Sequence, residues 1–163
     1  MQSVGNVATP QHQQIATEAH GKCYILEGKF VHYLKKEKTV RDQFNKLYSY
    51  ETKKQRLEVG RKGAKHEFDL YQKGQLIGGV STSPWHNKSG TNNTGGQDRA
   101  SAELLWLSLW NGKERRIHIL TDLKMAKNLY SRYIGTPFRK PIEIMHYDQN
   151  KRKFSTVGKL GKI

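Results

Sequence analysis

One cysteine, Cys23, stands among 163 residues, so the chain can form no internal disulfide and no cluster of thiolate metal ligands. Long apolar runs are missing as well. The longest strongly apolar stretch, Leu104 to Leu107, falls far short of a bilayer span, and no charged start followed by an apolar run resembles a signal peptide. A soluble, cytoplasmic protein that engages no membrane is the expectation. Apolar residues are sparse, at 35%, yet they include Trp85, Trp106 and Trp110, enough for one core and too many for wholesale disorder. Acids are the scarcest charged class, with 14 Asp and Glu against 29 Lys and Arg, and any metal-dependent chemistry must draw on that short supply.

What the chain has is positive charge. Its formal net charge is +15 and its pI about 9.9. Such a surface repels itself, and the usual compensation is a polyanion whose condensed counterions are released when Lys and Arg replace them. Nucleic acid leads as partner, ahead of a ribosome-associated or membrane-surface role or lysines kept only for solubility. The charge is also unevenly placed: Lys35 to Lys65 holds eleven basic residues and four acids.

The length suits one domain, expected over residues 11–163, behind a flexible arm at residues 1–10. Gln11 to His20 reads as a short helix, and Cys23–Leu26 with Lys29–Leu34 as a hairpin about Glu27-Gly28. Thr39 reads as the N-cap of a helix running to about Val59 and ended by Gly60, with Val40, Phe44, Leu47 and Tyr48 on one face and Arg41, Lys46, Lys53, Lys54 and Arg56 on the other. Strands follow over His66–Tyr71 and Gln75–Ser83, joined by a tight turn at Lys73-Gly74. Arg99–Trp110 reads as a helix by composition, although alternation of Leu105, Leu107 and Leu109 would suit a strand. Arg116–Thr121 is a strand, Asp122–Tyr133 an amphipathic helix, Ile142–Tyr147 a strand, and a hairpin or tail lies beyond Asp148. Strands alternating with helices predict an α/β (α+β) domain with a central mixed sheet flanked by helices.

Glu67 and Asp69, two apart in a strand, share one face. Carboxylates so placed in a basic protein call for a metal or a cation; the ordinary alternative pairs them with Lys65 or Lys73 on an exposed strand. The stretch Pro84–Gln97 is rich in Ser, Asn, Thr and Gly and contains no acid. A loop that follows DNA needs small residues, amides, a flat aromatic and cations, so Asn87, Asn92, Asn93 and Gln97 are candidates for adenine, Arg99 for guanine and Trp85 for stacking. The alternative is a surface loop anchored to the core by Trp85. Arg61, Lys62 and Lys65, around Gly63, suit a phosphate-gripping turn without being a Walker motif. Gly78-Gly79 inside a strand points to a bulge or a close approach by another backbone. The spacing of His66, His86, His118 and His146 supports no histidine-based cleavage site.

Helix, acid-bearing strand (Phe68-Asp69-Leu70-Tyr71), hairpin, second strand, helix and further strand, over roughly residues 39 to 122, resembles the core of the PD-(D/E)xK nucleases, the restriction-endonuclease-like superfamily. In that family an acid on the first strand and an acid and lysine two apart on the second bind Mg²⁺ and help activate water. Asp69 matches the first position, whereas Val80-Ser81-Thr82-Ser83 stands where the acid-x-lysine triplet is expected. Some members take the missing carboxylate from the following helix, which implies Glu103 here. The resemblance thus implies Asp69 and Glu103 as Mg²⁺ ligands, Glu67 as a third, and Lys88 as the electrostatic lysine. The commoner fate of a lone helical Glu such as Glu103 is a polar helix face. Two functions follow as expectations: a Mg²⁺-dependent, restriction-type endonuclease of double-stranded DNA acting as a homodimer, or a sequence-specific DNA-binding domain without catalysis that uses the basic helix and the 84–99 loop.

Overall fold

The computed structural model describes residues 32–60 and 62–161. The chain divides into two units, Met1–Lys35 and Lys36–Ile163, and the sheet with its helices, the first of them from Lys36 onward, belongs to the second. The expected arm at residues 1–10, the helix at 11–20 and most of the hairpin at 23–34 lie outside the described residues.

The second unit is α+β, as the sequence predicts. Helix α1 occupies residues 32–48; then come β1 (Lys53–Val59), β2 (Ala64–Gln72), β3 (Leu76–Ser81), α2 (Thr94–Leu109), β4 (Arg115–Leu120), α3 (Leu123–Tyr133), β5 (Ile142–Asp148) and β6 (Lys153–Leu160). All six strands form one sheet in sequence order, antiparallel at β1–β2, β2–β3 and β5–β6 and parallel at β3–β4 and β4–β5. The parallel strands need crossovers, which α2 and α3 supply. They are also the strands buried on both faces, hence the nearly unbroken apolar runs of Leu76–Val80 and Ile117–Leu120.

Two apolar clusters sandwich the sheet. On the α1 face Val40 and Phe44 pack with Leu70, Val80, Ile117, Ile119 and Met145, and on the other Ala100, Leu104 and Leu107 of α2 and Met125, Ala126 and Leu129 of α3 pack with Phe68, Ile77 and Ile144.

Three expectations are corrected. The helix expected from Thr39 to Val59 ends at Tyr48, because Ser49 takes a left-handed conformation (φ 56°) and Asn45 ties the departing chain by accepting the Thr52 N–H and hydroxyl and donating to the Thr52 carbonyl. Lys53–Val59 is instead an edge strand on β2, so the basic helical face is divided between a helix and a strand, and Gly60 ends β1. Residues 32–34, expected in a strand, are helical. The loop after β3 is shorter than expected, since Thr94 to Asp98 already belong to α2. Asn93 caps that helix by accepting the Gly96 N–H, and buried Arg116 donates to the carbonyls of Leu107, Trp110 and Gly112 at its other end.

Candidate functional site

The antiparallel ladder between β1 and β2 slips by one residue, so that Asp69 and Leu70 together oppose Lys54: Lys53 pairs with Tyr71 and Gln55 with Phe68. This bulge breaks the alternation of β2 and turns Leu70 onto the α1 face. At the same level β2 and β3 part. Their pairing ends at Leu70–Gly78, while β3 continues beside β4 to Ser81–Leu120. Asp69 spans the fork, its Oδ2 accepting the Val80 N–H at 2.9 Å.

The other carboxylate oxygen faces a cation. Lys54 Nζ lies 3.7 Å from Asp69 Oδ1, 3.0 Å from Glu67 and 3.8 Å from Glu37 of α1. Arg41, also of α1, donates to the Asp69 carbonyl at 3.2 Å. Burial opposes the charge of Lys54, yet the three carboxylates hold its pKa above the ordinary lysine value. Burial raises the Asp69 carboxyl, and the charge of Glu103 adds to the rise against the Val80 amide and Lys54. Burial, with Asp69 beside it, pushes Glu37 up to about 7 despite Lys54 and Arg41.

Glu103 reaches the fork from the opposite face. Its carboxylate fills the space that a side chain at position 79 would occupy, so Gly79 makes room for it. One oxygen, Oε2, meets His66 Nε2 of β2 at 2.9 Å, with the His66 ring stacked on Trp106 at 4.8 Å; the other, Oε1, is buried without a hydrogen-bond partner. Beyond Gly79, His118 of β4 shares a hydrogen bond of 2.9 Å with the Ser81 hydroxyl. Complete burial lowers His118 to about 4 and keeps it neutral, despite the nearby Glu103 charge.

No protein-family model, curated protein or solved structure matches this chain.

Among the residues singled out in the sequence, Asp69 and Glu103 therefore come within electrostatic reach of one another, and Glu67 joins Asp69 through Lys54. Glu67 pairs neither with Lys65 nor with Lys73 among the described ion pairs; its partner is Lys54 of β1. Lys88 sits exposed at the tip of a small turn closed by the Asn87–Thr91 and Gly90–Asn87 hydrogen bonds.

The polar residues of the loop are largely occupied in shaping it. Asn93 caps α2 and donates to the Pro84 carbonyl; Gln97 is buried, donates to the Trp85 carbonyl and accepts from Arg132; Asn92 is bridged to His86, and Asn87 donates to the Asn92 carbonyl. Trp85 packs on the core with the Arg132 guanidinium 5.5 Å from its ring centre. Arg99 is exposed and donates to Ser83. Lys62 and Lys65 are exposed about the β1–β2 turn, where Gly63 has φ 72°, and Arg61 lies outside the described residues. Gly78 does meet another backbone, the Ile117 carbonyl, while Gly79 meets a side chain.

Sequence reasoning missed Lys54, Glu37 and Arg41 as members of this site, along with His66, His118 and Ser81. The bulge that gathers the first three leaves no mark in residue types. A strand rather than a helix at Lys53–Val59 would have placed Lys54 opposite Asp69.

Among the described residues no three His, Cys, Asp or Glu side chains form a ready metal cage. Mg²⁺, however, is commonly held by one or two carboxylates together with water and substrate phosphate. Two carboxylates within electrostatic reach of one another at a fork, one with a buried oxygen lacking a partner, are of the kind that smaller requirement calls for.

Proposed function

We propose that this chain is a Mg²⁺-dependent endonuclease of restriction-endonuclease-like type acting on double-stranded DNA. The observation that carries this reading is the placement of Glu103 in the space left by Gly79, within electrostatic reach of Asp69. A carboxylate from α2 thereby stands where β3 itself offers none. Asp69 and Glu103 would hold the ion, which when bound supplies a water of lowered pKa and neutralises charge on the phosphate under attack.

The chain's own groups prepare that site. The Val80 amide fixes one oxygen of Asp69 and leaves the other toward Lys54. His66, clamped on Trp106, fixes one oxygen of Glu103 and leaves its partner unpaired. Lys54 brings positive charge to the fork for a phosphoryl oxygen, the role assigned to Lys88 from sequence. Neutral His118 adds no charge that would repel a cation.

A second reading has its own support. Lys54 already neutralises much of the Glu67/Asp69 pair, and a domain that only binds DNA would have the same basic surface. Plasmid DNA incubated with the protein in Mg²⁺ and in EDTA separates them. Cleavage that EDTA stops supports the nuclease; intact DNA with a mobility shift leaves only the binder. Glu103→Gln is expected to lower cleavage at least about 100-fold, the scale of removing an electrostatic group from a phosphoryl-transfer site.

A further inference from the structure

The β5–β6 turn carries a basic tip whose backbone is built against local preference. Asp148 Oδ1 accepts the N–H groups of Asn150 at 3.0 Å and Lys151 at 3.1 Å, which orders the turn and leaves Gln149 to Lys153 exposed. Arg152 in that turn has φ 49°, the left-handed region in which glycine is at ease and branched or long side chains are uncommon. Ser49 is the other non-glycine residue with positive φ among those described, and it ends a helix, while Arg152 closes the β5–β6 turn ahead of Lys153, a place that a glycine would fill with less strain. Three cations, Lys151, Arg152 and Lys153, thus stand side by side at an exposed tip, the middle one in a conformation that costs a non-glycine residue energy.

The sheet register places this tip on the functional edge. Val80, bonded to Asp69, stands level with Ile119, Ile119 with Met145, and Met145 with Thr156. Because β3, β4 and β5 are parallel, the turn after Asp148 leaves the sheet at the same end as the fork. Three strand spacings and several residues of rise put the tip about 20 Å from Asp69. The major groove of a duplex is about 12 Å wide, so that span reaches across a groove to the backbone on its far side. A phosphate of one strand at the fork would bring phosphates of the opposite strand to the tip.

We propose that the β5–β6 turn is a phosphate clamp for double-stranded DNA, with Arg152 as its principal contact. The clamp rests on the nucleic-acid reading above and extends it to a second strand.

The test is Arg152→Gly, which relieves the backbone while removing the contact. In EDTA, with a labelled duplex of about 30 base pairs, its Kd is expected to rise at least ~3-fold, and the slope of log K against log salt to shrink by about 1. Its Tm is expected to equal or exceed that of the parent. Arg152→Asn, which also tolerates the left-handed region, should lose affinity equally. An unchanged Kd and slope in both variants overturns the clamp, as does a lower Tm for Arg152→Gly, since the arginine would then suit the turn. Loss confined to a single strand of the same length overturns the duplex assignment. A parent protein that binds duplex DNA in EDTA but never cuts it in Mg²⁺ sinks the nuclease and leaves the clamp standing. Cleavage by the parent with unchanged binding by the variants does the reverse.

Discussion

A carboxyl held near neutrality inside a group of other charges, as Glu37 is, makes stability depend on pH in a definite direction. In the native protein its pKa lies at about 7, above the ordinary 4.5, so the folded state keeps a proton that the unfolded chain releases between those values. Its contribution is complete below pH 4.5 and is lost as pH rises through 7. Glu37→Gln cannot lose that proton. Relative to the parent it should gain stability between pH 4 and 8, by roughly 2 kcal/mol, measured by urea unfolding at each pH. His118 works from the other side: the unfolded imidazole takes up a proton near 6.5 and the buried one only near 4, so its share of stability is lost as pH falls through that window. At the same scale, Asp69→Ala should abolish Mg²⁺-dependent cleavage while leaving duplex binding in EDTA within about 3-fold of the parent. Retained cleavage would remove Asp69 from the site. The pairing of Glu67 with Asp69 on one strand is visible in residue types alone; the identity of their cation is not, because Lys54 meets them only through the ladder.

Gly79 shows how an element can be shaped by a neighbour. Inside a buried strand a glycine weakens packing, yet here a Cβ would collide with the Glu103 carboxylate arriving from α2. Gly79→Ala should therefore displace Glu103, destabilise the fold by about 1–3 kcal/mol in chemical denaturation, and reduce cleavage more than a remote substitution of equal cost. Wild-type cleavage by Gly79→Ala would separate Glu103 from the chemistry. The start of α2 makes a simpler prediction: Asn93→Ala removes the acceptor for the Gly96 N–H and should cost about 1 kcal/mol. Elements with strong local signals were legible. The turn at Lys73-Gly74, the span of α3, and β4 and β5 all lie within a residue or two of where patterning places them. β1 was not, because KKQRLEV is an edge strand with one apolar side and much charge, and its propensities do not oppose a helix. Tertiary pairing with β2 decided it.

For the molecule as a whole, the charge of +15 predicts DNA affinity that falls steeply with salt, measurable as a linear decline of log K with log salt; affinity that barely changes between low and moderate salt would sink a phosphate-backbone partner. Among the described residues no helix is long and apolar enough to cross a membrane. Composition and periodicity determined that the chain folds around a mixed sheet, that it carries a large positive charge, and that a handful of acids must carry any metal chemistry, since each is a property summed over residues. Only tertiary structure decided which acids come within electrostatic reach of one another. A bulge and a fork between strands bring Lys54 to Asp69, and an empty position at Gly79 admits Glu103 from a helix 24 residues further along the chain. Such contacts depend on register and on the space one element leaves for another, and neither is encoded in the spacing of residues along a single strand.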